Sequence, residues 1–275
     1  MQENELILTA DDGLKLHGRV WQAEKPRAAV SLIHGLGEHS GRYDPIGTLL
    51  SERQISLCAL DLRGHGLSEG RRGHVASYEI LMADISRFIE ATRERFPDLP
   101  LFMYGQSLGG NIALTFVLKT NPDLRGVIVS APLLKLAYEP PARKQKVLHL
   151  LQRLRINPAL ASGLDDTALS KDLNVIRSYR NDPLVHRVIT PPLATQMLEA
   201  GKWCIENAAE FACPLLLIHG DADRITSAQA TKEFASKTHC DCTLKIFPGL
   251  YHEPHNEPEK QAVFNTILTW LDQCM

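Results

Sequence analysis

The chain has 275 residues, 44% of them apolar and 23% charged, with a formal net charge of −2. This composition is ordinary for a globular protein and excludes a disordered chain, a collagen and a coiled-coil rod. The charge balance lacks the basic excess of a general nucleic-acid binder, so no nucleic-acid partner is expected.

The length suits one α/β domain carrying an insertion, or two small domains. Six cysteines (Cys58, Cys204, Cys213, Cys240, Cys242 and Cys274) are scattered, with no C-x-x-C pair. They read as free thiols in a reducing compartment. The opening residues lack a basic segment followed by an apolar one, so no signal peptide is expected. No run reaches about 18 consecutive apolar residues, so no membrane span is expected either. The expected location is therefore cytoplasmic.

In chain order, Leu6–Leu8 and Leu14–Leu16 flank Asp11-Asp12-Gly13, the signature of a hairpin. Short apolar runs follow at Ala28–His34, Ile55–Leu60, Leu101–Tyr104, Gly126–Val129, Pro214–His219 and Thr243–Phe247. Each reads as a buried strand. Between them the period becomes helical. Leu81, Ile85, Phe88 and Ile89 mark one helix, Ile112 to Val117 a second, and Val263, Ile267, Trp270 and Leu271 a third. Alternating strands and helices predict an α/β fold, a mostly parallel sheet covered on both faces.

Residues 133–187 break the alternation. They show no strong strand and carry ten basic against five acidic side chains, a local charge of +5. Val147, Leu148, Leu150, Leu151 and Leu154 form a helical apolar stripe between Pro140-Pro141 and Pro158. This stretch is expected to be a helical cap inserted into a core made of 1–132 and 188–275. Arg143, Lys144, Lys146, Arg153 and Arg155 flank the stripe. Such a basic amphipathic helix can lie in a membrane interface or simply cover the core.

Gly105-Gln106-Ser107-Leu108-Gly109 is G-x-S-x-G between the LFMY strand and an apolar helix. That context fits a nucleophile elbow, a sharp strand-to-helix turn that exposes the serine hydroxyl. A serine needs a base, and the base needs a carboxylate to orient it. Asp223 and His252 follow in the expected order, each in a loop after a strand. Asp221 competes for the acid but also suits a turn cap. His255 competes for the base. The oxyanion donors are expected to be the N–H of Leu108 and that of Leu36, in the loop after Ala28–His34.

Three other patterns are weaker. Gly35, Gly37 and Gly41 have G-x-G-x-x-x-G spacing, with Ser40 where a dinucleotide turn needs its third glycine. His252 and His255 are three apart around Pro254, whereas H-E-x-x-H needs histidines four apart on a helix. Gly64–Gly70 lacks the Gly-Lys-Ser/Thr of a P-loop and reads as a turn supporting the site. No metal and no cofactor are expected.

His34–Tyr43 (HGLGEHSGRY), Asp61–Gly70, Gly105–Gly110, His219–Thr226, Tyr251–Glu257 and Ser178–His186 together resemble the monoacylglycerol lipase and lysophospholipase group. The resemblance covers almost the whole chain. It implies an α/β-hydrolase fold and a serine hydrolase cleaving the ester of a single-chain lipid, with Asp223 as acid and His252 as base. It also implies that Glu38, Arg42 and His255 bind the polar head group. Glu38 and Arg42, read alone, could be only a surface ion pair. One departure stands out. Gln106 occupies the position before the serine where the group usually has His. A short-chain carboxylesterase and a non-catalytic binding protein of the same fold are the rival readings.

Overall fold

The computed structural model describes residues 3–139, 141, 150, 151, 154 and 156–275. Strands β1 (Glu3–Thr9) and β2 (Lys15–Trp21) form an antiparallel hairpin around the Asp11–Gly13 turn. β3 (Ala28–Ile33) leads to helix α1 (Asp44–Glu52), and β4 (Ile55–Leu60) to α2 (Tyr78–Arg95). β5 (Leu101–Gln106) runs into α3 (Leu108–Thr120), followed by β6 (Gly126–Ser130).

The eight-stranded sheet has the order β1-β2-β4-β3-β5-β6-β9-β10, where β9 is Leu215–Gly220 and β10 is Cys242–Phe247. β1 and β2 pair antiparallel, as do β2 and β4; the remaining pairs are parallel. Parallel strands need crossovers that cover both faces, so their residues are apolar on both sides. β3 illustrates this. Ala29 and Ile33 join the core on one face, with Ile85 of α2 and Ile112 of α3. Val30 and Leu32 join the other, with Ile46 and Leu50 of α1. That second face also packs Val263, Phe264 and Ile267 of the last helix, α7 (Lys260–Cys274).

Between β6 and α5 (Pro191–Glu206) lies the stretch that breaks the alternation. It carries a 3₁₀ turn (Asp166–Ala168) and helix α4 (Leu173–Asn181). It also has a two-residue strand, β7 (Leu160–Ala161), paired with β8 (Val188–Ile189). A pair this short leaves no periodicity for sequence reading to detect. Val147 and Leu148, and the bases Arg143, Lys144, Lys146, Arg153 and Arg155, lie outside the described residues. The last crossover helix is α6 (Ala228–Lys237), between β9 and β10. Among the described residues no helix is long and apolar enough to cross a membrane.

Candidate active site

The site forms where β5 turns into α3. Ser107 has φ 55° and ψ −114°, a region that costs a non-glycine residue energy and persists only where packing enforces it. The flanking glycines explain the enforcement. A Cβ on Gly105 would run into the carbonyl oxygen of Gly109, and one on Gly109 into that of Ile33. Only bare backbone lets the strand and the helix pass this closely. α3 begins at Leu108, so its N–H belongs to the helix end that has no intrahelical partner.

The serine meets two residues from distant loops. His252 Nε2 is 2.8 Å from Ser107 Oγ, and His252 Nδ1 is 2.8 Å from Asp223 Oδ2. Asp223 Oδ1 accepts from the N–H groups of Ile225 and Thr226 at 2.7 and 3.1 Å. Asp221 points elsewhere and accepts from Gly249 N–H at 2.6 Å, pinning the loop that leads to His252. Burial pushes Asp223 up, but the facing His252 and the hydrogen bonds it accepts outweigh this and hold it well below the carboxylate range. Burial pulls His252 down, and the Asp223 carboxylate together with Glu253 and Glu38 offsets it, so its net direction is up.

The loop after β3 approaches from the other side. Leu36 lines a small cavity beside Ser107. The loop is held from below, where His34 Nε2 accepts from Leu62 N–H at 3.0 Å. Asp61 Oδ1 accepts from Ser40 N–H at 2.7 Å, and its Oδ2 from Leu67 N–H at 2.8 Å. The Gly64–Gly70 segment thus sits under the loop. It is held from above by the stretch after β6. His186 N–H donates to Gly37 O at 2.9 Å, and His39 Nε2 pairs with Asp182 Oδ2 at 2.8 Å.

The cavity is amphipathic. Leu36, Leu164 and Leu169 give it an apolar wall; Glu38, Arg42, Tyr179 and Glu253 give it a polar one. Arg42 Nη1 donates to Glu38 Oε2 at 2.5 Å and to Glu253 Oε1 at 2.6 Å, and Nη2 donates to Glu253 Oε2 at 2.7 Å. The guanidinium also stacks over the Tyr179 ring at 4.8 Å. Glu38 Oε1 accepts from Gly35 N–H and from the Tyr43 hydroxyl. Sequence reading pairs Glu38 with Arg42 but misses Glu253, whose only signal is its place beside His252.

His255 takes a different position from Glu38 and Arg42. It is buried behind them, stacked on Tyr43 with ring centroids 5.1 Å apart, and does not line the cavity. Burial pushes it down to about 4, so it is neutral near pH 7. Among the described residues no group of three or more His, Cys, Asp or Glu could hold a metal ion.

Residues 24–259 match the family model described as serine aminopeptidase, S33. The chain belongs to this hydrolase family. The human monoglyceride lipase is 32% identical over 270 residues, covering 95% of this chain and 88% of that protein. An uncharacterized abhydrolase domain-containing protein of Dictyostelium discoideum is 39% identical over 97% of this chain, which spans only 28% of that longer protein. The crystal structure of the Paleococcus ferrophilus monoacylglycerol lipase superposes with a TM-score of 0.86, at 30% identity and full coverage of both chains. The fold is therefore that of an α/β-hydrolase, as the motif resemblance implies.

Proposed function

We propose that this protein is a serine hydrolase that cleaves the carboxylic ester of a single-chain lipid bearing a neutral polyol head. The observation that carries the reading is the Ser107–His252–Asp223 line of hydrogen bonds beside an amphipathic cavity. The similarity to monoglyceride lipases supports the lipid ester as substrate.

Ser107 Oγ attacks the ester carbonyl while His252 takes its proton. Asp223 holds the imidazole in the tautomer that leaves Nε2 free and stabilises the imidazolium. The N–H groups of Leu36 and Leu108 receive the oxyanion. His252 then protonates the leaving alcohol, and water releases the acyl group by the reverse route. The acyl chain lies along Leu36, Leu164 and Leu169.

Glu38, Arg42 and Glu253 face the head group, with His255 behind them supporting Tyr43. Two carboxylates against one guanidinium give the polar wall a charge of −1. That favours hydroxyl groups over a phosphate, because a phosphate would meet a cation already neutralised by two partners.

Residues 133–187 act as a cap over the site. Exposed Leu150, Leu154 and Ile156 on the cap offer transient contact with a membrane surface, which fits a cytoplasmic enzyme drawing its substrate from lipid.

A hydrolysis panel tests the substrate, and fluorophosphonate labelling tests the nucleophile. The wild type should label and should cleave monoacylglycerol faster than the lysophosphatidic acid of the same acyl chain. A folded Ser107→Ala protein should neither label nor turn over, with a loss on the order of 10⁶. Turnover by that variant would remove the mechanism.

A further inference from the structure

Asp223 Oδ2 is 2.8 Å from His252 Nδ1 and 3.0 Å from the Nε2 of a second histidine, His219. His219 is the next-to-last residue of β9 and is fully buried. Its other acceptor at Nε2 is the Thr226 carbonyl at 3.3 Å. The Thr226 hydroxyl also lies 3.4 Å from Nε2, but its one proton has the closer acceptors Asp223 Oδ2 and the Ala131 carbonyl. The carboxylate and the Thr226 carbonyl therefore place a proton on Nε2. Nδ1 is then free to accept from the Thr231 hydroxyl of α6, 2.8 Å away. The tautomer of His219 is thus fixed from both sides.

The bonds from Ile225 and Thr226 N–H to Asp223 are local. They fix the carboxylate relative to its own loop, not relative to the sheet that carries Ser107. The Thr226 hydroxyl lies 2.8 Å from Asp223 Oδ2 but also 3.1 Å from the Ala131 carbonyl, and it has one proton to give. His219 differs, because it sits in the ladder of β9, opposite Ile246 of β10.

We propose that His219 is a positioning residue for the proposed catalytic acid. Its Nε2–H ties Asp223 to the sheet, so that one carboxylate oxygen is aimed at His252. The proposal rests on the Ser107–His252–Asp223 reading. It extends that line by two residues, giving Thr231–His219–Asp223–His252–Ser107.

The extension has an electrostatic consequence. His252 is faced by Asp223, Glu253 and Glu38, and Asp223 by His252 and His219. The His219 donor draws negative charge toward itself. Without it, more of that charge faces His252, which becomes a stronger base.

The test uses His219→Leu, His219→Gln and Thr231→Val with a p-nitrophenyl ester. His219→Leu should lower kcat roughly 10- to 100-fold, as small misplacements of reacting groups do, and leave KM within about twofold. The acid limb of its kcat/KM profile should move to higher pH. His219→Gln, which keeps an N–H donor, should restore most of the rate. Thr231→Val should shift both readouts in the same direction by less. In an Asp223→Asn background, His219→Leu should cost nothing further, because it acts through that carboxylate.

An unmoved limb and wild-type kcat in His219→Leu would overturn the proposal, as would an additive loss in the Asp223→Asn background. If His219→Leu does not fold, Thr231→Val decides alone, and a wild-type profile there overturns it. Ser107→Ala separates the two levels. If it keeps turnover the triad itself is wrong, and if it is inactive the His219 outcomes bear on this proposal only.

Discussion

Gln106 donates from Nε2 to the backbone carbonyl of His252 at 2.9 Å, joining residues 146 positions apart in the chain. The side chain is buried at the end of β5, one residue before Ser107. It therefore fixes the loop of the proposed base against the turn of the proposed nucleophile. The residue that departs from the group's usual His has a structural task of its own. Replacing it with Leu leaves the His252 carbonyl buried and unpaired, a cost of about 1–3 kcal/mol. Gln106→Leu should lower kcat about tenfold with little change in KM, measured on a p-nitrophenyl ester.

His252→Ala should be far more damaging than His255→Ala. The first removes the group between Ser107 and Asp223, and the second removes a ring stacked behind the cavity. Steady-state kinetics should show kcat collapsing in His252→Ala, and mainly a raised KM in His255→Ala. The opposite ranking would exchange the two roles.

Arg42 holds Glu38 and Glu253 together where both are buried. Removing the cation strands two carboxylates, and breaking a buried pair in this way costs about 3–5 kcal/mol. Arg42→Met should therefore destabilise the protein strongly in urea unfolding. Glu253→Gln should be milder, because Glu38 remains to pair the guanidinium. Glu253→Gln should also narrow the preference for monoacylglycerol over lysophosphatidic acid, read as a ratio of kcat/KM values.

Acid should weaken the fold through histidines pushed down chiefly by burial, among them His34, His65, His186 and His255. His255 and His186 are each pushed down to about 4. An unfolded histidine titrates near 6.5. Between those values the unfolded chain binds protons that the folded chain refuses, so stability falls as pH drops from about 6.5 toward 4. For the fully buried His255 the loss is on the order of 3 kcal/mol. His252 is raised and acts with the opposite sign, adding stability at low pH that is lost as pH rises through its folded value. Thermal melts at pH 7 and pH 4.5 should show the drop. His255→Phe, which keeps a ring on Tyr43, should reduce it.

Leu150 and Leu154 are 55% and 56% exposed on the proposed cap. Glutamate at both positions should abolish binding to anionic vesicles and leave p-nitrophenyl ester hydrolysis intact. Wild-type binding should weaken as salt screens the flanking bases. If the wild type does not float with vesicles even at low salt, the cap only covers the site.

The strand-helix alternation was legible because buried parallel strands are apolar on both faces, as in Ala28–Ile33 and Ile55–Leu60. Helix α5 escaped notice since Pro191-Pro192 looks like a break in sequence yet forms its first turn. Ser107, Asp223 and His252 were legible through loop position and order. Glu253 and His219 were not, because their partners are set only by folding. Glu253 meets Arg42 across 211 residues. His219 reads as one more residue of an apolar strand until Asp223 folds back over it.

The loop behind β3 is stitched to the proposed cap by His186 N–H on Gly37 and by Asp182 on His39. A cap transplanted from a relative to change chain-length preference would cut the Asp182 stitch unless the graft brought a carboxylate there. It would keep the backbone stitch only with a non-proline residue on the same path at 186. The proposed cap is therefore not an interchangeable module. A chimaera should be designed with its seam before Asp182, so that the native anchors stay with the native loop.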